Sequence, residues 1–142
     1  MILYLDTSAL VKKYFKEEGS SEVISVWKAS LGIVTSAVAY AELTAAVYRK
    51  ASETPIKKTL LKNVLNTFQR DWLSFIIVEV DNRLNETIHK VISIYGLRGF
   101  DAIHLSSAIT IASAIRENFL FACFDERLRR AAQSEGIETL PN

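Results

Sequence analysis

Ile2-Leu3-Tyr4-Leu5-Asp6-Thr7-Ser8-Ala9-Leu10 is the stretch on which the fold turns. A short apolar run ends in one aspartate, hydroxyl residues follow, and a helical pattern begins. An apolar run closed by a turn signal predicts a buried strand. Asp6 then stands where strand becomes helix. Two roles suit an acid at that point. It can cap the first turn of the helix, where Asp is a favoured residue. It can also face a ligand, because open α/β sheets bind ligands at the carboxyl ends of their strands. The rest of the chain has to decide between them.

Outward from this stretch the pattern alternates. Residues 7–16 read as a helix with Ala9, Leu10 and Tyr14 inward, and residues 21–30 as a second helix. Ile33-Val34-Thr35 is a short β-branched strand. Ser36 is expected to cap a helix over 37–51 that is apolar almost all round and therefore buried. Thr54-Pro55 is expected to open the next helix, to Trp72, with proline at its first position. Its stripe of Leu61, Leu65, Phe68 and Trp72 packs on the preceding helix or extends into a dimer or partner surface. A third strand spans 75–80, Asp81 caps a helix, and Gly96 closes it. Asp101 opens a largely apolar helix to about Glu117. A fourth strand over 119–124 ends at Asp125, a helix covers 126–133, and 137–140 can add a last strand. Such alternation predicts a mostly parallel sheet of four to five strands, helices on both faces and a protruding helical hairpin over about 37–72. No glycine-rich turn follows any strand, which excludes a Rossmann dinucleotide site and a P-loop.

The totals fit one domain with a real core: 142 residues, 49% hydrophobic and 23% charged. A net charge of +1 means that any nucleic-acid binding comes from a local patch. The single cysteine, Cys123, excludes a disulfide framework and a cysteine-rich zinc site, and suits a reducing cytoplasm. No apolar run approaches membrane-spanning length, and the start lacks the basic region of a signal peptide.

Sorting the acids by neighbourhood isolates four. Glu17, Glu18, Glu22 and most other glutamates sit among polar residues, and Asp71, Glu79, Asp81 and Glu138 lie at element ends. Asp6, Glu42, Asp101 and Asp125 each lie against apolar sequence, and Asp125 repeats the strand-to-helix position of Asp6. Glu42 has Val38, Ala39, Ala45 and Ala46 as its helical neighbours, so its charge needs compensation, by an arginine elsewhere or by solvent if not by a metal. Parallel topology can gather the four at one sheet edge. Clustered carboxylates repel, and a divalent cation reverses that cost. Oxygen ligands without cysteine or several histidines point to Mg2+ or Mn2+. Such ions polarise phosphoryl oxygen and activate water, which suits phosphodiester hydrolysis.

Four pieces in order now carry a resemblance: Asp6-Thr7-Ser8-Ala9-Leu10, Ala41-Glu42-Leu43, Phe100-Asp101-Ala102-Ile103-His104-Leu105, and Phe124-Asp125-Glu126-Arg127-Leu128. Together they resemble the four acidic motifs of PIN domains, specifically the VapC-type toxin ribonucleases of prokaryotic toxin–antitoxin pairs. The resemblance runs over nearly all of 1–142 and implies a single PIN domain with a three-layer α/β/α fold. It further implies a Mg2+- or Mn2+-dependent endoribonuclease, often dimeric, inhibited by a cognate VapB-like antitoxin. By the same resemblance Asp6 and Asp101 are principal metal ligands, Glu42 binds or orients the metal's water, and Asp125 completes the site. Ser8 would hydrogen-bond the first carboxylate or a water, or simply cap the helix. The pattern departs at Cys123, where a hydroxyl or small aliphatic residue is expected; the thiol reads as a buried small hydrophobe.

Other residues have two readings each. His104 lies one helical turn from Asp101 and either touches phosphate, supports the site, or packs as a satisfied core histidine. Arg98, beside Asp101 in a glycine-bounded loop, is the better phosphate candidate. Arg127, Arg129 and Arg130 form an RNA track or a solvated helix face. Phe100 and Tyr14 read as core, with base stacking as the other use. Two competing functions remain open: a metal-dependent phosphatase or phospho-acceptor domain, and a catalytically silent PIN module that binds RNA or a protein. No second Asp follows Asp6 by two residues and no lysine stands at a late strand end, which disfavours the former. Retention of all four acids disfavours the latter.

Overall fold

The computed structural model describes residues 1–142. Strands β1 (Ile2–Leu5), β2 (Gly32–Ser36), β3 (Ile76–Val78), β4 (Phe119–Ala122) and β5 (Glu138–Leu140) form one sheet in the order β3-β2-β1-β4-β5. Every neighbouring pair is parallel. The helices are α1 (Thr7–Tyr14), α2 (Ser20–Ala29), α3 (Val38–Glu53), α4 (Lys58–Trp72), α5 (Asn85–Tyr95), α6 (Gly99–Ala114) and α7 (Glu126–Ser134).

The period-two geometry of a strand divides the core in two. On β1, Leu3 and Leu5 join one cluster with residues of α1 to α4, including Leu10, Val23, Leu43, Val47, Val64 and Phe68. Tyr4 points the other way, into a cluster with Val91, Leu105, Phe121 and Leu128 of α5, α6, β4 and α7. This is the three-layer arrangement expected. It also explains why β1 carries no polar alternation: both of its faces are covered. Each such fully buried large side chain contributes about 1.5–3 kcal/mol over an exposed one.

Several boundaries differ from expectation for local reasons. Thr54 is extended (φ −130°, ψ 146°) and closes α3, its N–H reaching Lys50 O, and α4 starts only at Lys58. A residue before proline avoids the helical region, so Pro55 ends one helix instead of opening the next. Helix α3 is not buried all round: only Ala39, Leu43 and Val47 are, a single i, i+4, i+8 stripe, and Tyr40, Ala41, Ala45 and Tyr48 are exposed. Ser36 is the last residue of β2, and Ala37 occupies the cap position of α3, although the Ser36 hydroxyl accepts the Val38 N–H at 3.3 Å. The hairpin of α3 and α4 lies against the first core cluster through Leu43, Val47, Val64 and Phe68, so only its tip stands out. Gly19 enters α2 at φ 89°, and a Cβ there would stand 2.6 Å from the Phe124 ring, so both conformation and space require glycine.

Candidate active site

The chain first builds the sheet outward from β1 through β2 to β3, then returns to the other side of β1 with β4 and β5. The strand order therefore reverses between β1 and β4, and a crevice at their carboxyl ends is the binding position of such sheets. Asp6 follows β1 and Asp125 follows β4. Both cap the helices they precede: Asp6 Oδ1 accepts the Ala9 N–H at 3.0 Å, and Asp125 Oδ1 accepts the Leu128 N–H at 2.9 Å. The Ser8 hydroxyl donates to Asp6 Oδ1 at 2.6 Å and accepts the Phe124 N–H at 2.9 Å, which ties the two junctions together. Cys123 is buried between them as a free thiol, with Sγ 3.4 Å from Asp125 O.

Glu42 arrives on α3 and Asp101 in the first turn of α6, two residues inside the helix and not at its cap, which is Arg98. Glu42 Oε1 accepts the Thr7 hydroxyl at 2.7 Å and lies 2.7 Å from His104 Nε2. Burial pushes the Glu42 carboxyl up, but His104 and Thr7 outweigh it and hold it below its usual range. An ionised carboxylate only accepts, so Nε2 carries the proton of that bond. Nδ1 of the ring lies 2.9 Å from the hydroxyl of buried Tyr4. Burial, then the charge of Asp6, keeps that phenol protonated far above neutral pH. A relay Tyr4–His104–Glu42–Thr7 thus fixes one oxygen of Glu42.

Asp101 accepts no hydrogen bond, and its carboxyl is pushed up by burial and then by the charges of Asp125, Asp6 and Glu42. Asp6, only 4% exposed, is pushed up by burial despite His104, Ser8 and the Ala9 amide. No lysine or arginine pairs with any of the four acids. A cavity of about 640 Å³ opens on three of them, lined by Glu42, Asp101, Asp125, Arg98, Phe100 and Ile103 among others. A neighbouring cavity of about 470 Å³ shares Asp125 and adds Arg127 and Arg130.

The donor set fits a hard divalent cation in kind. Every group is a carboxylate oxygen, and each of the four leaves at least one oxygen without a donor, Asp6 Oδ2 and Glu42 Oε2 among them and both oxygens of Asp101. No three His, Cys, Asp or Glu side chains stand close enough to hold one ion together. An ion bound here would take one or two of these carboxylates and keep several waters, as Mg2+ does.

The remaining candidates separate, and Tyr14 is where it was expected, packed on the first core cluster with its hydroxyl donating to Asp71. Arg98 and Arg127 are exposed and line the two cavities. Arg130 pairs with Glu126 at 2.6 Å, and Arg129 is half-buried. His104 is 2% exposed with both ring nitrogens engaged, so it offers RNA no atom; this corrects its reading as a phosphate contact. Phe100 is 59% exposed in the cavity wall, so it is not core. Two participants carried weaker signals. Tyr4 is a phenol inside a buried strand, which has to find a partner. Thr7 is next to Asp6, but its bond to Glu42 spans 35 residues.

Similar proteins agree with this architecture. Ribonuclease VapC45 of Mycobacterium tuberculosis is 27% identical over 140 residues, covering 99% of this chain and 95% of that protein. The structure of VapBC2 from Rickettsia felis, bound to a DNA fragment from its promoter, superposes with a TM-score of 0.64 at 18% identity, covering 98% of this chain and 97% of that one. FitAcB from Neisseria gonorrhoeae gives 0.69 at 16% identity, covering 98% and 96%. At such identities the two structures establish likeness of fold alone. The PIN domain family model matches residues 3–134, from β1 through α7, and the chain belongs to that family.

Proposed function

We propose that this chain is a metal-dependent endoribonuclease that hydrolyses RNA phosphodiester bonds, and the toxin of a toxin–antitoxin pair. The observation that carries the reading is the gathering of Asp6, Glu42, Asp101 and Asp125 at the β1/β4 crevice with no basic partner but His104. The name of the Mycobacterium relative, a ribonuclease, supports the activity. The likeness to VapBC2 and FitAcB supports an antitoxin as partner. Mg2+ or Mn2+ is the cofactor that the all-oxygen donor set fits.

A divalent cation bound here supplies neutralisation of the phosphoryl oxygens and a lowered pKa for attacking water. Asp6 and Asp101 offer free oxygens as its principal protein ligands, and Asp125 completes the acidic edge from the β4 side. Glu42 uses Oε2 to orient the attacking water and accept its proton, with Oε1 immobilised by Thr7 and His104. Ser8 keeps Asp6 from rotating away. Arg98 and Arg127 bind the phosphates on either side of the scissile bond. The protein acts in the cytoplasm as a homodimer in this reading; no helix is long and apolar enough to cross a membrane.

The test is cleavage of single-stranded RNA by purified protein, with Mn2+ or with chelator, beside Asp6→Asn. Asn keeps the Ser8 and Ala9 hydrogen bonds but removes the ligand charge. Activity should require the metal and fall at least about 100-fold in the variant, beyond the ~10–100-fold that loss of an outer supporting group costs. Cleavage that is equal in both proteins, or absent with Mn2+, would overturn the assignment.

A further inference from the structure

Of the large apolar side chains left exposed, Phe100 alone lines the carboxylate cavity. It is fixed in the first turn of α6, immediately before Asp101. No other aromatic ring or cation of the chain packs on it. The cavity has two kinds of wall. Ile88, Phe100 and Ile103 make an apolar side, and Glu42, Asp101 and Asp125 make an acidic one. Arg98 is its one cation, and it forms no ion pair within the chain.

An occupant has to satisfy both walls. An uncharged protein side chain laid on Phe100 would cover the ring but would also shut Asp101 and Asp125 from water with nothing to offset their charge. With the cation of the proposed reaction at the acids, a nucleotide matches each part: a flat base for the ring, a phosphate for Arg98, and a scissile phosphoryl group whose charge the cation, and not the carboxylates, would offset. The volume of about 640 Å³ lies within the range of small-ligand pockets. We infer that Phe100 is the stacking platform for one unpaired base beside the scissile phosphate, with Arg98 holding the adjoining phosphate, so that the site selects single-stranded or looped RNA. A base in a duplex is already stacked on both faces and cannot present one to the ring. This inference rests on the ribonuclease reading and adds a specificity residue to it.

The experiment uses a single-stranded RNA whose cleaved bond has been mapped, the same RNA with an abasic nucleotide on either side of that bond, and the same RNA carrying 2-aminopurine there. Phe100→Ala and Phe100→Leu should raise KM about 5- to 150-fold, the range for loss of one base–aromatic stack, with kcat changed far less. Phe100→Trp should restore KM, and leucine should not, because the ring and not its bulk is needed. Wild-type protein should lose the same factor on one abasic substrate, and Phe100→Ala should lose nothing more on it. Mixing with the 2-aminopurine RNA should quench its fluorescence in wild type but not in Phe100→Ala. RNA cleavage with a KM and a quench indifferent to residue 100 overturns the platform and leaves the ribonuclease standing. A Phe100-dependent quench without cleavage keeps the platform and overturns the ribonuclease. Absence of both overturns both.

Discussion

His104 shows how a site is held by a residue that does not face the substrate. It takes one oxygen of Glu42 at 2.7 Å and is itself oriented by the Tyr4 hydroxyl at 2.9 Å. Replacing it with leucine should cut RNA cleavage about 10–100-fold, the usual cost of losing an outer partner of a ligand. His104→Gln, whose amide N–H can take the place of Nε2, should recover most of the loss. Tyr4→Phe keeps the ring stack on Phe121, with centroids 5.2 Å apart, and removes only the O–H. It should lower kcat, and it should cost about 1–3 kcal/mol of stability because the buried His104 Nδ1 loses its partner. Rate measurements on the three variants check this, and a loss equal in leucine and glutamine variants would argue for packing alone. At this scale the four acids were legible because each lies against apolar sequence, where a charge needs a reason. The relay was not, since Glu42 and His104 are 62 residues apart, on α3 and α6, and only the tertiary fold brings their side chains together. Phe100 was misread because its sequence neighbours are apolar; its exposure follows from α6 starting at Gly99, which leaves it at the crevice rim.

Among the elements, α4 is the one whose attachment carries the most. Its buried residues are Val64 and Phe68, and the Phe68 ring meets Tyr14, Tyr40 and Trp72 at centroid distances of 5.6, 5.4 and 5.7 Å. Phe68→Ala should destabilise the protein by about 3–5 kcal/mol, read from denaturant unfolding. At the other end of that contact, Asp71 accepts from Lys13 at 2.6 Å and from the Tyr14 hydroxyl at 2.7 Å, pinning α4 to α1. These groups are partly exposed, so Asp71→Ala should cost only about 1 kcal/mol. If the two costs came out equal, ring packing would not be what anchors α4. The α4 stripe was legible from its 3.6-residue period. The extent of burial of α3 was not, because alanines count as apolar in any window yet Ala41 and Ala45 cost little to leave in water. The break at Thr54-Pro55 was seen and assigned to the wrong helix, as proline fits both a helix start and the position just past a helix end.

Over the whole molecule, a net charge of +1 conceals a local excess of negative charge at the β1/β4 crevice. The alternation of strands and helices made the parallel sheet legible; the strand order was not, because pairing partners leave no trace in local pattern. That order decides the electrostatics, since it brings the acids of β1 and β4 side by side. Asp6 and Asp101 both have carboxyl pKa values raised above the ordinary 3.8, by burial first and, for Asp101, by the other acids. A raised carboxyl favours the folded state below its unfolded value, and the contribution disappears as pH rises through the folded value. Glu42 is lowered from 4.5 and acts in the opposite sense, contributing above that value and losing the contribution as pH falls. At the crevice two raised carboxyls stand against one lowered, while Glu17 and Asp81 elsewhere are lowered, so the charge penalty of the metal-free protein at neutral pH is local to Asp6 and Asp101. Mn2+ should offset that penalty. At a hundredfold excess over its dissociation constant it should add about 2.7 kcal/mol at pH 7.5, and less at pH 5, where protons compete for the same oxygens. Asp101→Asn should separate the two effects. Without metal it should melt at or above the wild-type temperature at pH 7.5, because one repelling charge is gone. With metal it should gain little. Thermal melts of both proteins in Mn2+ and in chelator at the two pH values measure all of these terms. A wild type that Mn2+ fails to stabilise at pH 7.5, or a variant stabilised as strongly as wild type, would mean that the carboxylates at the crevice are not where the cation binds.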